Sequence, residues 1–128
     1  MKKFITLILI IILNSCSSKY SYDEPKPQIG WEDFEKSINY PENYNRAGVD
    51  CLANVVIRID SAGKLKNIEI DLSNKYSLFE DSIKAAIQRT KWQPAKRNGK
   101  SVDASLHLSI WFRIESDHYI IINGDENK

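Results

Sequence analysis

The sequence predicts an α+β domain with elements in the order α-β-β-α-β, on three observations. Residues 52–60, LANVVIRID, and 65–72, LKNIEIDL, alternate apolar and polar side chains with the period of two of a half-buried strand. They are joined by a short turn that carries Gly63, which makes them an antiparallel hairpin. Apolar residues at helical spacing flank this hairpin, and a third alternating run follows at 102–112.

The elements can be justified in order. In WEDFEKSINY, Trp31, Phe34 and Ile38 recur on one helical face, and Pro41 stops the run. The first strand puts Ala53, Val55, Ile57 and Ile59 on one side and Asn54, Arg58 and Asp60 on the other. Its return strand buries Ile68, Ile70 and Leu72 and leaves Asn67, Glu69 and Asp71 in water. Ser77-Leu78-Phe79-Glu80 reads as a capping box opening a second helix, whose stripe is Phe79, Ile83, Ala86, Ile87 and Thr90. Pro94 prevents its continuation, and Trp92 is assigned to packing at the corner where the chain turns back over the core.

After an Asn98-Gly99 turn, Val102, Ala104, Leu106, Leu108, Ile110 and Phe112 alternate with Asp103, Ser105, His107, Ser109 and Trp111. A right-handed crossover sets this third strand beside the first. The expected architecture is therefore a three-stranded antiparallel sheet with two helices on one face. Its other face is wet and carries Asn54, Arg58, Glu69, Asp71 and His107. In the tail, 115–128, Tyr119–Ile122 can add one short strand, and the last residues read as frayed.

The 128 residues allow one domain, and a 42% hydrophobic, 27% charged composition is ordinary for a globular chain. A formal charge of +1 gives no electrostatic case for nucleic acid or for a membrane-surface patch. The beginning, MKKFITLILIIILNSC, has two lysines, an apolar run from Phe4 to Leu13 and small residues before Cys16. That run is too short for a transmembrane helix, which needs about 20 residues, and suits a secretory signal. Leu13-Asn14-Ser15-Cys16 resembles a bacterial lipobox, which implies cleavage after residue 15 and lipidation of Cys16. The organisation expected is a signal over 1–15, a linker over 16–29 and a domain over 30–114. Cys51 is then the lone remaining cysteine, without an intrachain disulfide, and reads as a small buried hydrophobe.

Catalysis is not supported. His107 and His118 are the two histidines, and neither begins a metal-spacing motif. His107 shares a strand face with Ser105 and Ser109, but no orienting group or oxyanion loop accompanies them. There is no Gly-rich phosphate loop, and no cofactor or metal is expected.

A series of anchors resembles the C-terminal domain of the TonB energy transducers. Tyr40-Pro41 follows the first helix, and Ala47-Gly48-Val49 leads into the first strand. Asp60, Gly63 and Leu65 fit D-x-x-G-x-L, Trp92-Gln93-Pro94-Ala95 fits W-x-P-A, and Gly99, Lys100 and Val102 fit G-K-x-V. Phe112 matches the aromatic that ends the last strand, and the likeness covers roughly Gly30 to Ile114. Cys51 stands where the family usually has glycine. A transmembrane helix and a long Pro-rich spacer are replaced here by a lipoprotein signal and a tether of some fifteen residues, about 50 Å when extended.

The resemblance implies a non-enzymatic, protein-binding module that takes a partner segment as an added strand. The strand 102–114 is the expected free edge, with Trp111 and Arg113 as contact candidates and Ser109 and His107 beside them. The implied partner is a protein or peptide segment, such as a TonB-dependent transporter of the outer membrane, not nucleic acid. Homodimerisation by strand exchange is left open. The expected location is the periplasmic side of the envelope, lipid-anchored, with the outer membrane preferred over the inner. The alternative is a structural accessory lipoprotein that packs on an envelope complex through the open sheet face without transducing energy.

Overall fold

Strand alternation becomes a sheet with one dry face in the computed structural model, which describes residues 20–113 and the backbone of 119–122. The strands are β1 (Tyr22–Asp23), β2 (Lys26–Pro27), β3 (Cys51–Ile59), β4 (Leu65–Leu72), β5 (Trp92–Gln93), β6 (Ala95–Arg97), β7 (Lys100–Val102), β8 (Ala104–Phe112) and β9 (Tyr119–Ile122). The helices are α1 (Trp31–Ser37), α2 (Glu42–Arg46) and α3 (Ser77–Arg89). The main sheet runs β4-β3-β8-β9 and is antiparallel at each pairing.

The central strand β3 pairs with β8 from Cys51↔Phe112 to Ile59↔Ala104, and with β4 from Ala53↔Leu72 to Ile59↔Leu65. The expected alternation sets the burial. Cys51, Ala53, Val55, Ile57 and Ile59 are buried on β3, and Leu106, Leu108, Ile110 and Phe112 on β8. Phe34 and Ile38, with Phe79, Ile83, Ala86 and Ile87, close this core from the helix layer. At one end Phe112 stacks against Phe79 (centroids 4.8 Å apart), with Tyr40 and Tyr44 around them. At the other, Trp92 packs edge-on to Phe34 at 5.3 Å and donates its indole N–H to the Ile87 carbonyl at 3.2 Å. Trp92 is thus a packing residue, as its corner position predicts.

Several details differ from the sequence reading. Among the described residues the main sheet has four strands, because β9 pairs with Leu108–Trp111. The third alternating run is broken at Asp103 into β7 and β8, since the Asp103 carboxylate leaves the ladder to accept the Ser61 N–H at 2.8 Å. The capping box does not form. Tyr76 holds the cap position of α3, Ser77 is already helical, and Glu80 pairs with Lys84 at 2.7 Å. Asn74 fixes the approach to α3 instead, accepting from Tyr76 N–H at 3.1 Å and donating to the Asp50 carbonyl at 3.0 Å. Pro41 ends α1's pattern but also sets up α2, a second short helix that the spacing did not reveal.

The stretch expected to be linker is structured from residue 20 onward. β1 pairs with β6 and β2 with β5, and Pro25 and Pro27 are buried. Proline suits a two-residue edge strand because its ring presets the extended backbone and no ladder donor is required of it.

Two glycines with the same backbone conformation meet different surroundings. Gly63 has φ +81° in the β3–β4 turn, and a Cβ there would lie 2.6 Å from the Trp92 carbonyl oxygen. Gly99 has φ +79° in the β6–β7 turn, with nothing within 4 Å of such a Cβ. Gly63→Ala adds a backbone clash to the left-handed penalty and is expected to cost about 3 kcal/mol. Gly99→Ala meets the penalty alone and should cost about 1 kcal/mol. Denaturant midpoints of the two variants check this; equal losses would mean that the Gly63–Trp92 approach carries no energetic weight.

Candidate functional site

The four candidate residues sit on or just after β8, in different surroundings. His107 is exposed, Ser109 is 8% exposed, Trp111 is half-buried and Arg113 is exposed. Two residues apart in an extended segment, Trp111 and Arg113 share a face, and the guanidinium lies 4.8 Å from the indole centroid in a cation–π contact. Ser109 donates its hydroxyl across the ladder to Asn54 Oδ1 at 3.3 Å, so it is directed at β3. Among the described residues, no three His, Cys, Asp or Glu side chains gather as a metal site would need.

The expected free edge, 102–114, is closed along Leu108–Trp111. β8 has β3 on one side and β9 on the other along Leu108–Trp111, opposite Ile122–Tyr119. The sequence did identify the candidate strand for β9. It could not show that Tyr119–Ile122 pairs with the very edge assigned to a partner.

Among the described residues, the sheet edge left open over a full strand is β4. It pairs with β3 alone for its eight residues. The hydrogen-bond phase follows from the end of the hairpin: Ser73 N–H donates to the Leu52 carbonyl at 2.9 Å. Stepping by two along the ladder, Asn54↔Asp71 and Val56↔Glu69 bond in the same phase, so the backbone groups of Ile68, Ile70 and Leu72 turn outward. Beside this edge a groove of about 400 Å³ is lined by Leu65, Lys66, Asn67 and Ile68 of β4 and by Lys84 and Gln88 of α3. The exposed flank carries Lys66, Asn67, Glu69 and Asp71, a mixture of charges that discourages indiscriminate edge pairing.

The sheet's outer face is less wet than the alternation implied. Leu52 and Val56 share it with Trp111 and are half-buried. Their signal was present in LANVVIRID, where both fall in register with Asn54 and Arg58.

Cys51 sits where the first strand begins, 1% exposed, with the Ser73 hydroxyl 3.9 Å from its sulfur. Burial pushes the thiol's pKa up, which keeps it protonated and unreactive at neutral pH. A thiol reagent at mildly alkaline pH is therefore expected to leave Cys51 unmodified in the folded protein and to label it once denaturant is added. Peptide mass mapping distinguishes Cys51 from Cys16, and prompt labelling in the native state would contradict the closed strand start seen here.

Residues 36–114, more than half of the chain, match the family model described as Gram-negative bacterial TonB protein C-terminal. No curated protein and no solved structure matches. Domains of this family are non-catalytic protein-interaction domains of the Gram-negative envelope. With its motifs, its α+β architecture and this match in agreement, the chain belongs to the TonB C-terminal domain family.

Proposed function

We propose that the protein is a lipid-anchored envelope module, held through Cys16 and facing the periplasm, that binds a segment of another protein by strand addition at β4. The observation that carries this reading is the eight-residue β4 edge, whose outward backbone groups lie beside the groove under α3. Such an edge supplies main-chain hydrogen bonds, and the groove supplies side-chain selection. Family membership favours a TonB-dependent outer-membrane transporter as the source of the segment. Trp111, Arg113, Ser109 and His107 then serve a second route, in which the partner displaces the four-residue β9 from β8.

A role without energy transduction is supported by the length of the tether. Ser21 is already bonded to Asn98, so five residue steps separate Cys16 from the folded domain. They reach at most about 18 Å, far less than a spacer between two membranes would need. Half-buried Leu52 and Val56 support the accessory-subunit alternative, because they give the outer sheet face an apolar spot for packing on a complex.

Photo-crosslinking in cells separates these routes. A benzoylphenylalanine is placed at Glu69 on β4, at Ser105 on β8, or at Val56 on the outer face. Crosslinking to a transporter from Glu69 is expected, with little from the other two. Capture from Ser105 alone would move the site to β8, and capture from Val56 alone would favour face packing. If none of the positions captures a transporter, the transport role is lost.

A further inference from the structure

The formal charge of +1 hides an uneven distribution. From residue 82 to residue 102 the chain has six basic residues, Lys84, Arg89, Lys91, Lys96, Arg97 and Lys100, and no acidic one. Lys84 is held by Glu80 at 2.7 Å, and Arg89 donates to the Ser37 carbonyl at 3.1 Å. Lys96, Arg97 and Lys100 are exposed and surround the tip of the β6–β7 hairpin, where Asn98 (φ 51°) and Gly99 (φ 79°) make the two-residue turn. The register brings Asp23 opposite Lys96, with Glu24 next along the chain, so the tip keeps a basic excess.

The same tip is where the chain arrives from its N-terminus. Ser21 N–H donates to Asn98 Oδ1 at 2.9 Å, and Asn98 N–H donates to the Ser21 carbonyl at 2.8 Å. Beside it Tyr20 is 70% exposed and Tyr22 39% exposed, with the Arg97 guanidinium 5.8 Å from the Tyr22 ring centroid. Exposed aromatic rings among cations suit the headgroup layer, where an amphipathic ring has both an apolar and a polar neighbour. An acyl anchor at Cys16 would hold this tip within about 18 Å of the acyl chains.

We infer that the β6–β7 tip is a membrane-docking surface, with Lys96, Arg97 and Lys100 seated on the anionic phospholipid headgroups of the bilayer that holds Cys16, and Tyr20 and Tyr22 at headgroup level. This rests on the lipidation proposed above. Each basic residue near an anionic surface strengthens association about fivefold, and Asp23 and Glu24 offset part of what Lys96, Arg97 and Lys100 contribute. The docked domain stands with β8 running away from the membrane, because Ala104 lies at the tip end of the sheet and Phe112 at the far end. Trp111 and Arg113 are then presented to the periplasm.

The test uses the full chain purified from membranes, carrying a fluorophore at Ser101→Cys on β7 or at Lys75→Cys beyond the far end of β4. The N-terminal peptide is first weighed; an unmodified Cys16 would overturn both the anchor and the docking. With Cys16 lipidated, the protein is placed in vesicles of phosphatidylcholine alone or mixed with phosphatidylglycerol, and quenching by aqueous acrylamide is read. Protection of the Ser101 position severalfold above the Lys75 position is expected in the anionic vesicles only. High salt, or the triple variant Lys96→Gln, Arg97→Gln, Lys100→Gln, should remove it. Equal quenching at the two positions in anionic vesicles would overturn the docking surface while leaving the anchor intact.

Discussion

The fold turns on the passage of the β3–β4 turn beneath the corner at Trp92. Gly63 comes so close to the Trp92 carbonyl that a single added carbon would meet the oxygen at 2.6 Å and Pro94 Cδ at 3.4 Å. On the other side of that backbone, the Trp92 ring packs against Phe34 and Trp31, while its peptide pairs with Pro27. The hairpin turn, the exit of α3, the first helix and the N-terminal segment therefore meet at one residue. Asp60 secures the turn by accepting Ala62 and Lys64 N–H groups at 2.9 Å each, and these bonds hold its carboxyl below the usual range. Asp103 clasps Ser61 from the start of β8. Two short motifs that look independent in the sequence, D-x-x-G-x-L and W-x-P-A, are the two sides of this one contact.

What could be read in the sequence follows from how local each cause is. Alternation in β3 and β8 reports a face buried along a continuous strand and placed the core residues there. In β4, at the sheet edge, the same alternation leaves Ile68, Ile70 and Leu72 half-buried. The stripe of α3 likewise placed Phe79, Ile83, Ala86 and Ile87. The departures have non-local causes. Ser77 and Glu80 have capping-box spacing, but Asn74 reaches Asp50 across the sheet and sets the helix start one residue earlier. Residues 22–27 look like tether because they are polar and Pro-rich, yet prolines already held extended lose little entropy on pairing with β5 and β6.

The candidate site was legible in its residues and misjudged in its edge. Trp111 stood out because it breaks the polar pattern of the outer face, with Arg113 just beyond it, and the structure brings the two together in a cation–π pair. Whether β8 was an edge depended on a four-residue segment beyond the strand, whose Tyr-Ile-Ile-Ile sequence has no strong preference for one partner over another. Conversely, β4 reads as an ordinary hairpin strand. Its openness is a property of sheet order, which the crossover of α3 decides by putting β8 on the opposite side of β3.

Sheet order and the short tether together constrain any partner. With Cys16 as the proposed anchor, the first fixed residue is Ser21, and the main sheet extends about 30 Å from the tip end of β8 to its far end. Everything the domain can touch then lies within about 50 Å of its own bilayer, and less when the tip is seated on headgroups. A transporter segment that adds to β4 must come from a protein in the same membrane or from a chain long enough to reach it. This geometry favours a clamp on a neighbour in the same bilayer over a bridge between membranes. On that proposal, strand addition at the sheet edge would need no long spacer, whereas transmission across the periplasm would need length.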